Sequence, residues 1–447
     1  MFLSEKIERI FKLFLPSPFT IAVILTLFTF FLALFITEPS TNESHVFKIL
    51  SFWEKGIWEP SLLVFAMQMM LMLVLGHVLA LSRPISSLIN IATKYCNDTA
   101  SSAAIITFFT LIVALFNWGL GLIFGAIFSR KVAERSSKKN IKINYPLIGA
   151  CGYSGLMVWH GGISGSAPIK IAEEGHFLAN KMGVISQSET IFSTMNISIN
   201  MILIIILPII MYLFGKFSSA KIINIQEEIN QTKKNIEGAE KLDHSKIIAF
   251  LFGGTILFYC FYIAFILPNI PSLKIITPNY INLSLLGLCI VMHMNFSNFL
   301  LAVKKAISGT SGILIQFPLY FGIMGIMNHS GMVTIMSNFF VNIADETTFP
   351  IFTFISAGVV NIFVPSGGGQ WAIQGPIIID AAKQLGVDIP KSIMSLAYGD
   401  QITNMLQPFW ALPLLGITGL KAKEILPYTT ILFLIGVLVF IGGLLIF

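Results

Sequence analysis

Stretches of about 20 apolar residues recur along this chain from Phe19 to Phe447, and a helix of that length crosses the roughly 30 Å hydrocarbon core of a bilayer. The composition agrees with this reading. Of 447 residues, 55% are hydrophobic and 11% are charged, which leaves too little polar surface to cover a water-soluble globule. A soluble enzyme is therefore excluded. The net charge of +6 does not point to nucleic acid, because the basic residues fall in short gaps between apolar runs and form no stripe with interleaved aromatics. Cys96, Cys151, Cys260 and Cys289 lie in or beside apolar segments without CxxC spacing. They read as small buried hydrophobes, not as a disulfide framework or a metal site.

At the N-terminus, Lys6, Arg9 and Lys12 precede an apolar run that continues to Ile36. It is too long for a signal-peptide core and no small-residue cleavage site follows, so it reads as an uncleaved first span. Residues 2–15 place Ile7, Ile10, Phe11 and Phe14 on one helical face, as in a helix lying on the membrane surface. Spanning helices are expected near 18–37, 61–81, 145–168, 190–214, 246–268, 280–294, 309–330, 393–418 and 425–447.

Two further apolar stretches, 99–129 and 350–380, are interrupted in their middles, by Asn117, Trp118 and Gly119 in the first and by Pro365, Ser366 and three glycines in the second. Both are read as re-entrant hairpins. The distribution of basic residues tests this, since Lys and Arg concentrate in cytoplasmic loops. With a cytoplasmic N-terminus and two hairpins, 21 of the 28 Lys and Arg fall inside. A single crossing through 99–129 would instead put its basic flanks, Arg83 to Lys94 and Arg130 to Lys142, on opposite sides.

The two halves of the chain resemble each other. Phe65 to His77 parallels Phe317 to His329, the break at Asn117 parallels the one containing Asn361, and the run from Ala150 parallels that from Ala397, all at offsets of about 245 to 252 residues. In the topology above the paired segments run in opposite directions. The expected fold is thus an all-α polytopic membrane protein with an inverted repeat, an architecture whose ligand sites lie between the repeats near the membrane midplane. The first half spans 1–215 and the second 246–447. Between them, the charged segment 216–245 reads as a cytoplasmic linker.

Irregular backbone survives at membrane depth only where it is buried or lines a cavity. Four breaks therefore mark the candidate site: Asn117 to Gly121, His160 to Pro168, Pro365 to Gln374 and Asn404 to Pro413. Their glycines let backbone N–H groups converge on an oxyanion, and each half-helix N-terminus adds partial positive charge. The candidate substrate-binding residues are Asn117, Trp118, Gly161, Gly162, Ser164, Ser166, Ser366, Gly367, Gly368, Gly369, Gln370, Trp371, Gln374 and Gln407, with Trp410 as a further aromatic wall for a short alkyl chain. Apart from Lys246 at the very start of one span, no Lys or Arg falls inside an assigned span, which favours a small monoanion over a dicarboxylate or phosphate. The competing reading is that these small residues serve close helix packing. Asp400, the one acid well inside a span, is the candidate ion-coupling residue, with Gln401 and Asn404 beside it. His77 and His329 read as caps at helix ends. His160 is either a pH-sensitive group or a satisfied buried imidazole. No nucleotide-binding fingerprint or other cofactor motif occurs, so the expected coupling ion is H+ or Na+.

The segments PSGGGQWAIQGP (365–376), AYGDQITNMLQPFWALP (397–413) and WHGGISGSAP (159–168), with LPSPFTIAVILT near the start and NWGLGLIFGAIF from Asn117, resemble the bacterial short-chain fatty acid transporter family over nearly the full length. The resemblance implies a cation-coupled symporter in the bacterial inner membrane, for monocarboxylates such as acetoacetate and butyrate. It also implies paired hairpins, a homodimer and an elevator-like shift, as in related anion carriers. Alternatives are a passive monocarboxylate channel, a carrier for a different small organic anion, and a membrane-embedded enzyme, for which the usual carboxylate or histidine clusters are missing.

Overall fold

Capping residues punctuate the apolar runs into helices, and a computed structural model describes the outcome for residues 18–37, 44–223, 237–268, 272–364 and 366–447. The first part of the chain forms α1 (Pro18–Ile36), α2 (His45–Ile57), α3 (Pro60–Ala80), α4 (Arg83–Thr93), α5 (Thr99–Phe116), α6 (Trp118–Lys138), α7 (Tyr145–Tyr153), a one-turn helix Ser166–Lys170 and α8 (Thr194–Phe217). Then follow α9 (Lys246–Phe261, extended by a π turn to Ile266), α10 (Pro278–His293), α11 (Phe296–Ala306), α12 (Ser311–His329), α13 (Met332–Ile343), α14 (Phe349–Phe363), α15 (Gly367–Leu385), α16 (Ile389–Thr403), α17 (Pro408–Thr418) and α18 (Ala422–Ile446). Among the described residues the only pairing of extended chain is an isolated bridge, Ile143 with Lys221. The surface-helix expectation for 2–15 and the turn residue Pro365 lie outside the described residues.

Among the described residues six helices are long and apolar enough to cross a membrane: α3, α5, α8, α9 with its π turn, α12 and α18. Large apolar side chains stand outward along them, among them Phe250 and Phe258 on α9 and Leu438 on α18. Such faces are stable only with lipid as their solvent. Local chemistry sets where helices start. Ser193, Ser245 and Thr277 each accept a backbone N–H from the first turn of α8, α9 and α10, and Asp98 and Ser101 form a reciprocal capping box on α5.

Both interrupted stretches are two helices, the first pair meeting at the single residue Asn117 and the second helix of the other pair starting after Ser366. Asn117 (φ −152°, ψ 124°) ends α5 and starts α6, its Oδ1 accepting the Leu120 N–H at 2.7 Å. Ser366 (φ −162°, ψ 111°) starts α15, its Oγ accepting the Gly369 N–H at 3.2 Å. In each case a polar side chain satisfies a donor that the new helix would otherwise leave orphaned.

Two assigned spans are corrected. The stretch 145–168 is no continuous helix. After Tyr153 it passes through tight 3-10 turns at Ser154–Met157 and Trp159–Gly161 before the turn Ser166–Lys170. Five glycines between 152 and 165 carry low helix propensity, and the freed backbone groups find partners elsewhere: the His160 N–H donates to Gln401 Oε1 at 2.9 Å, the Ile163 N–H to the Leu115 carbonyl at 2.9 Å, and Asn196 Nδ2 to the Gly161 carbonyl at 2.8 Å. Likewise 393–418 divides into α16 and α17, with a 3-10 turn at Asn404–Leu406 and extended Gln407 between them. The short helices α2, α4, α11 and α13 were not anticipated, because charged and polar residues keep them below spanning length. Lys170, two residues past the assigned end of a span, is 3% exposed.

Helices approach closely where glycine allows. A Cβ on Gly125 of α6 would lie 2.0 Å from the Gly152 carbonyl oxygen of α7 and 2.8 Å from its carbon. Backbone cannot swing aside as a side chain can. Gly125→Ala is therefore expected to cost about 3 kcal/mol of stability and to lower the melting temperature of the detergent-solubilised protein by several degrees. Gly254→Ala on α9, whose Cβ would meet nothing within 4 Å, leaves it unchanged.

Candidate functional site

The two extended breaks converge on one crevice. Its walls are formed by Met69, Trp118, Leu156, Trp159, Ser166, Ile313, Phe317, Ser366, Gly367, Gly368, Asn404 and Trp410. Its lining is of two kinds. The polar part comes from Ser166, Ser366, Asn404 and the first turn of α15 at Gly367 and Gly368, where a helix leaves its N–H groups without intrahelical acceptors. The rest is aromatic and aliphatic, and it interleaves with the polar part: a Cβ on Gly367 would lie 2.7 Å from Trp159 and one on Gly368 3.0 Å from Phe317. Trp118 sits 5.8 Å from Trp159 and 5.5 Å, edge to face, from Trp410. About 20 Å³ is free for the centre of a water-sized molecule, room for a water and not for an organic acid.

Of the residues singled out in the sequence, Trp118, Ser166, Ser366, Gly367, Gly368, Asn404 and Trp410 line this crevice, while the others stand behind it. Asn117 is fully buried and caps the hairpin tip, where a Cβ on Gly76 would lie 2.0 Å from its Oδ1. Ser164 Oγ accepts the Trp118 N–H at 2.8 Å, holding the other broken segment against this tip. Gly161 and Gly162 are packing glycines: an added Cβ would meet Asn196 Oδ1 at 2.5 Å and the Leu115 carbonyl oxygen at 2.4 Å. Gly369 lies against Tyr320. Gln370 donates to the Ala357 carbonyl and to Gln374 Oε1, bracing α15 against α14. Trp371 is buried beside Phe177, and Gln407 Nε2 donates to the Asn361 carbonyl at 2.7 Å.

Sequence reasoning missed Met69, Leu156, Trp159, Ile313 and Phe317. Apolar side chains in apolar helices carry no local signal of which face a cavity will touch.

Behind the crevice lies a buried pair of titratable side chains. Asp400 Oδ2 is 2.6 Å from His160 Nδ1, with both side chains essentially inaccessible. The contact is short but the ring N–H does not point along it, and neither Asp400 oxygen has an aligned donor among the described residues. Geometry assigns the imidazole tautomer. Nε2 accepts the Ala167 N–H at 3.2 Å, so the ring proton belongs on Nδ1, the nitrogen nearer the carboxylate. His160 also stacks on Trp159 at 4.4 Å and 12°. A Cβ on Gly367 would lie 2.8 Å from Asp400 Oδ2 and 3.0 Å from His160 Cε1, so the pair abuts the first turn of α15, where the helix dipole favours negative charge.

Asn361 of α14 anchors this arrangement. Its Nδ2 lies within hydrogen-bond distance of the Asp400 carbonyl (2.6 Å), Thr403 Oγ1 (2.8 Å) and Asn404 Oδ1 (2.9 Å). A proton or cation placed on Asp400 would therefore be felt at Gly367 and Asn404, both in the crevice wall. Among the described residues no group of three or more His, Cys, Asp or Glu is placed to hold a metal ion.

The fold is shared with solved transporters. MtrF of Neisseria gonorrhoeae, described among a class of antimetabolite efflux pumps, superposes with a TM-score of 0.62 at 11% identity, covering 100% of this chain and 97% of that one. The YdaH transporter of Alcanivorax borkumensis gives 0.54 at 12% identity, covering 96% and 98%. At the sequence level, a protein of Escherichia coli (strain K12) curated under the name "Putative short-chain fatty acid transporter" is 38% identical over 453 residues, covering 100% of this chain and 99% of its own length. One of the same name from Haemophilus influenzae is 37% identical over 445 residues, covering 96% of each. The profile of the family described as short chain fatty acid transporter matches residues 2–447. Matched over residues 2–447 by this family's profile and at 37–38% identity by these relatives, the chain belongs to the short-chain fatty acid transporter family, whose members are multi-pass membrane transporters and not enzymes.

Proposed function

We propose that the protein carries small monocarboxylate anions of the acetoacetate and butyrate kind across a bacterial inner membrane by cation-coupled symport. The mixed lining of the crevice supports this most directly: serine hydroxyls and the N-terminal turn of α15 suit a carboxylate, and tryptophans with Phe317 suit a short alkyl chain. No Lys or Arg lines it, in keeping with a single negative charge held by dipoles.

The two halves, 1–215 and 246–447, form an inverted repeat around this site. Helices correspond in order, α3 with α12, α5 with α14, α6 with α15 and α7 with α16, with starting residues 60 and 311, 99 and 349, 118 and 367, 145 and 389. Their packing is exchanged between halves as well. α12 packs on α1 and α2, while α3 packs on α10 and α11. α5–α6 and α14–α15 are hairpins that turn back at Asn117 and Ser366, and with a cytoplasmic N-terminus the basic segment from Arg130 to Lys142 faces inward.

Asp400 is the residue that loads the coupling cation. The imidazole beside it favours a proton. Asn361 Oδ1 and Gln407 Oε1 favour sodium, since both are buried oxygens without donors among the described residues, on side chains tied to the Asp400 backbone through Asn361. Proteoliposomes decide among these readings. A carrier exchanges labelled butyrate faster when unlabelled butyrate is loaded on the far side, and an imposed proton or sodium gradient identifies the ion. Flux without counterflow acceleration would mean a channel, and no flux of any C2 to C6 monocarboxylate would end the proposal.

A further inference from the structure

A cavity of about 780 Å³ opens at the N-terminal ends of α3 and α10, a size suited to small organic ligands. At its floor lies Lys170, the single buried Lys or Arg side chain among the described residues. Its ammonium donates to Gln68 Oε1 at 3.0 Å and to Glu173 Oε2, and sits 5.5 Å from the centre of the Phe65 ring. Gln68 Nε2 donates in turn to Glu173 Oε1 at 2.7 Å and Asn279 Oδ1 at 2.9 Å. Two of the three ammonium donors thus meet protein oxygens, and a ligand oxygen in the cavity can take the third.

The cavity and the central crevice share a wall. Phe65 packs 5.9 Å from Phe177 and 6.4 Å from Phe317, and Phe317 lines the crevice. A Cβ on Gly368, at the tip of α15, would lie 3.0 Å from both the Phe65 and the Phe317 ring. One aromatic layer therefore separates Lys170 from the helix tip that faces the crevice.

We propose that Lys170 and Gln68 form a second carboxylate-binding site, a capture point on the outer side from which a short-chain monocarboxylate passes the Phe65–Phe317 layer into the crevice. This rests on the monocarboxylate reading above, whose topology places the N-terminal ends of α3 and α10 outside. Glu173 occupies Lys170 when no ligand is present and is displaced by the arriving carboxylate. Glu174 and Glu189, also on the cavity wall, offset Lys170 and Lys274, so the anion is held weakly. A point on a path must release what it binds.

The test measures initial uptake of labelled butyrate into right-side-out vesicles as a function of its concentration. Lys170→Gln alone strands the Glu173 carboxylate, so the paired variant Lys170→Gln with Glu173→Gln removes the cation without leaving an unpaired acid. It is expected to raise KM about tenfold with maximal rate nearly kept, since the lost contact is a charge-assisted hydrogen bond. Lys170→Arg restores most of the loss. Glu173→Gln alone removes the internal competitor and lowers KM, a sign that a purely structural ion pair would not give. An unchanged KM in the paired variant, or a raised KM in Glu173→Gln, overturns the capture site while wild-type counterflow stands. Absence of any wild-type C2 to C6 monocarboxylate flux overturns the monocarboxylate reading and this inference together.

Discussion

Asp400→Asn abolishes concentrative uptake while exchange across the membrane continues. With a tenfold inward gradient of the coupling cation, one-to-one symport drives about tenfold accumulation of the anion, equivalent to 1.4 kcal/mol; the variant is expected to level at a ratio of one. Asparagine keeps the size of the side chain and removes its ability to hold a proton or a cation. The carboxylate is buried, 2.6 Å from His160 Nδ1 and against the first turn of α15, so no water-exposed acid can substitute. Counterflow needs no net cation movement and survives, which separates lost coupling from a lost site. Because a buried charge network is disturbed, the melting temperature of the variant is measured alongside. Accumulation against the gradient by a folded Asp400→Asn protein would remove Asp400 from the coupling step.

Gly367→Ala is expected to reduce both uptake and counterflow about 100-fold, a loss of roughly 2.7 kcal/mol in the transport barrier. The new methyl would lie 2.7 Å from Trp159 Cη2, 2.8 Å from Asp400 Oδ2 and 3.0 Å from His160 Cε1. These three neighbours belong to a tryptophan wall and a buried pair that are themselves packed on every side, so relief can come only by moving the tip of α15 off the crevice. Alanine also raises helix propensity by up to about 1 kcal/mol, partly offsetting the overpacking, and the melting temperature should move far less than transport does. Gly416→Ala on α17, where a Cβ meets nothing within 4 Å, serves as the control. Normal transport by Gly367→Ala would show that the tip of α15 makes no close contact during the cycle.

Some of this was legible before any coordinates. Asn117 stood out because a polar residue in a long apolar run has few tolerable explanations, and a hairpin turn capped by its own side chain is one of them. Ser366 and its glycines carried the same signal. By contrast, Trp159 and Phe317 look like any aromatic residue in an apolar segment, and Lys170 fell just beyond a span boundary drawn from hydropathy. The segment 154–165 was read as a helix ending in a break, whereas its turns are held by Gln401, Leu115 and Asn196, partners too distant along the chain for a local pattern to reveal.

The sequence by itself determined the solvent, the spans and the places where helices must stop, because the cost of exposing backbone to lipid acts on each segment separately. Tertiary structure alone decided what those stopping points face. The pairing of His160 with Asp400, 240 residues apart, the tryptophan wall and the Phe65 layer between two cavities arise from packing between helices, where distance along the chain carries no information about contact.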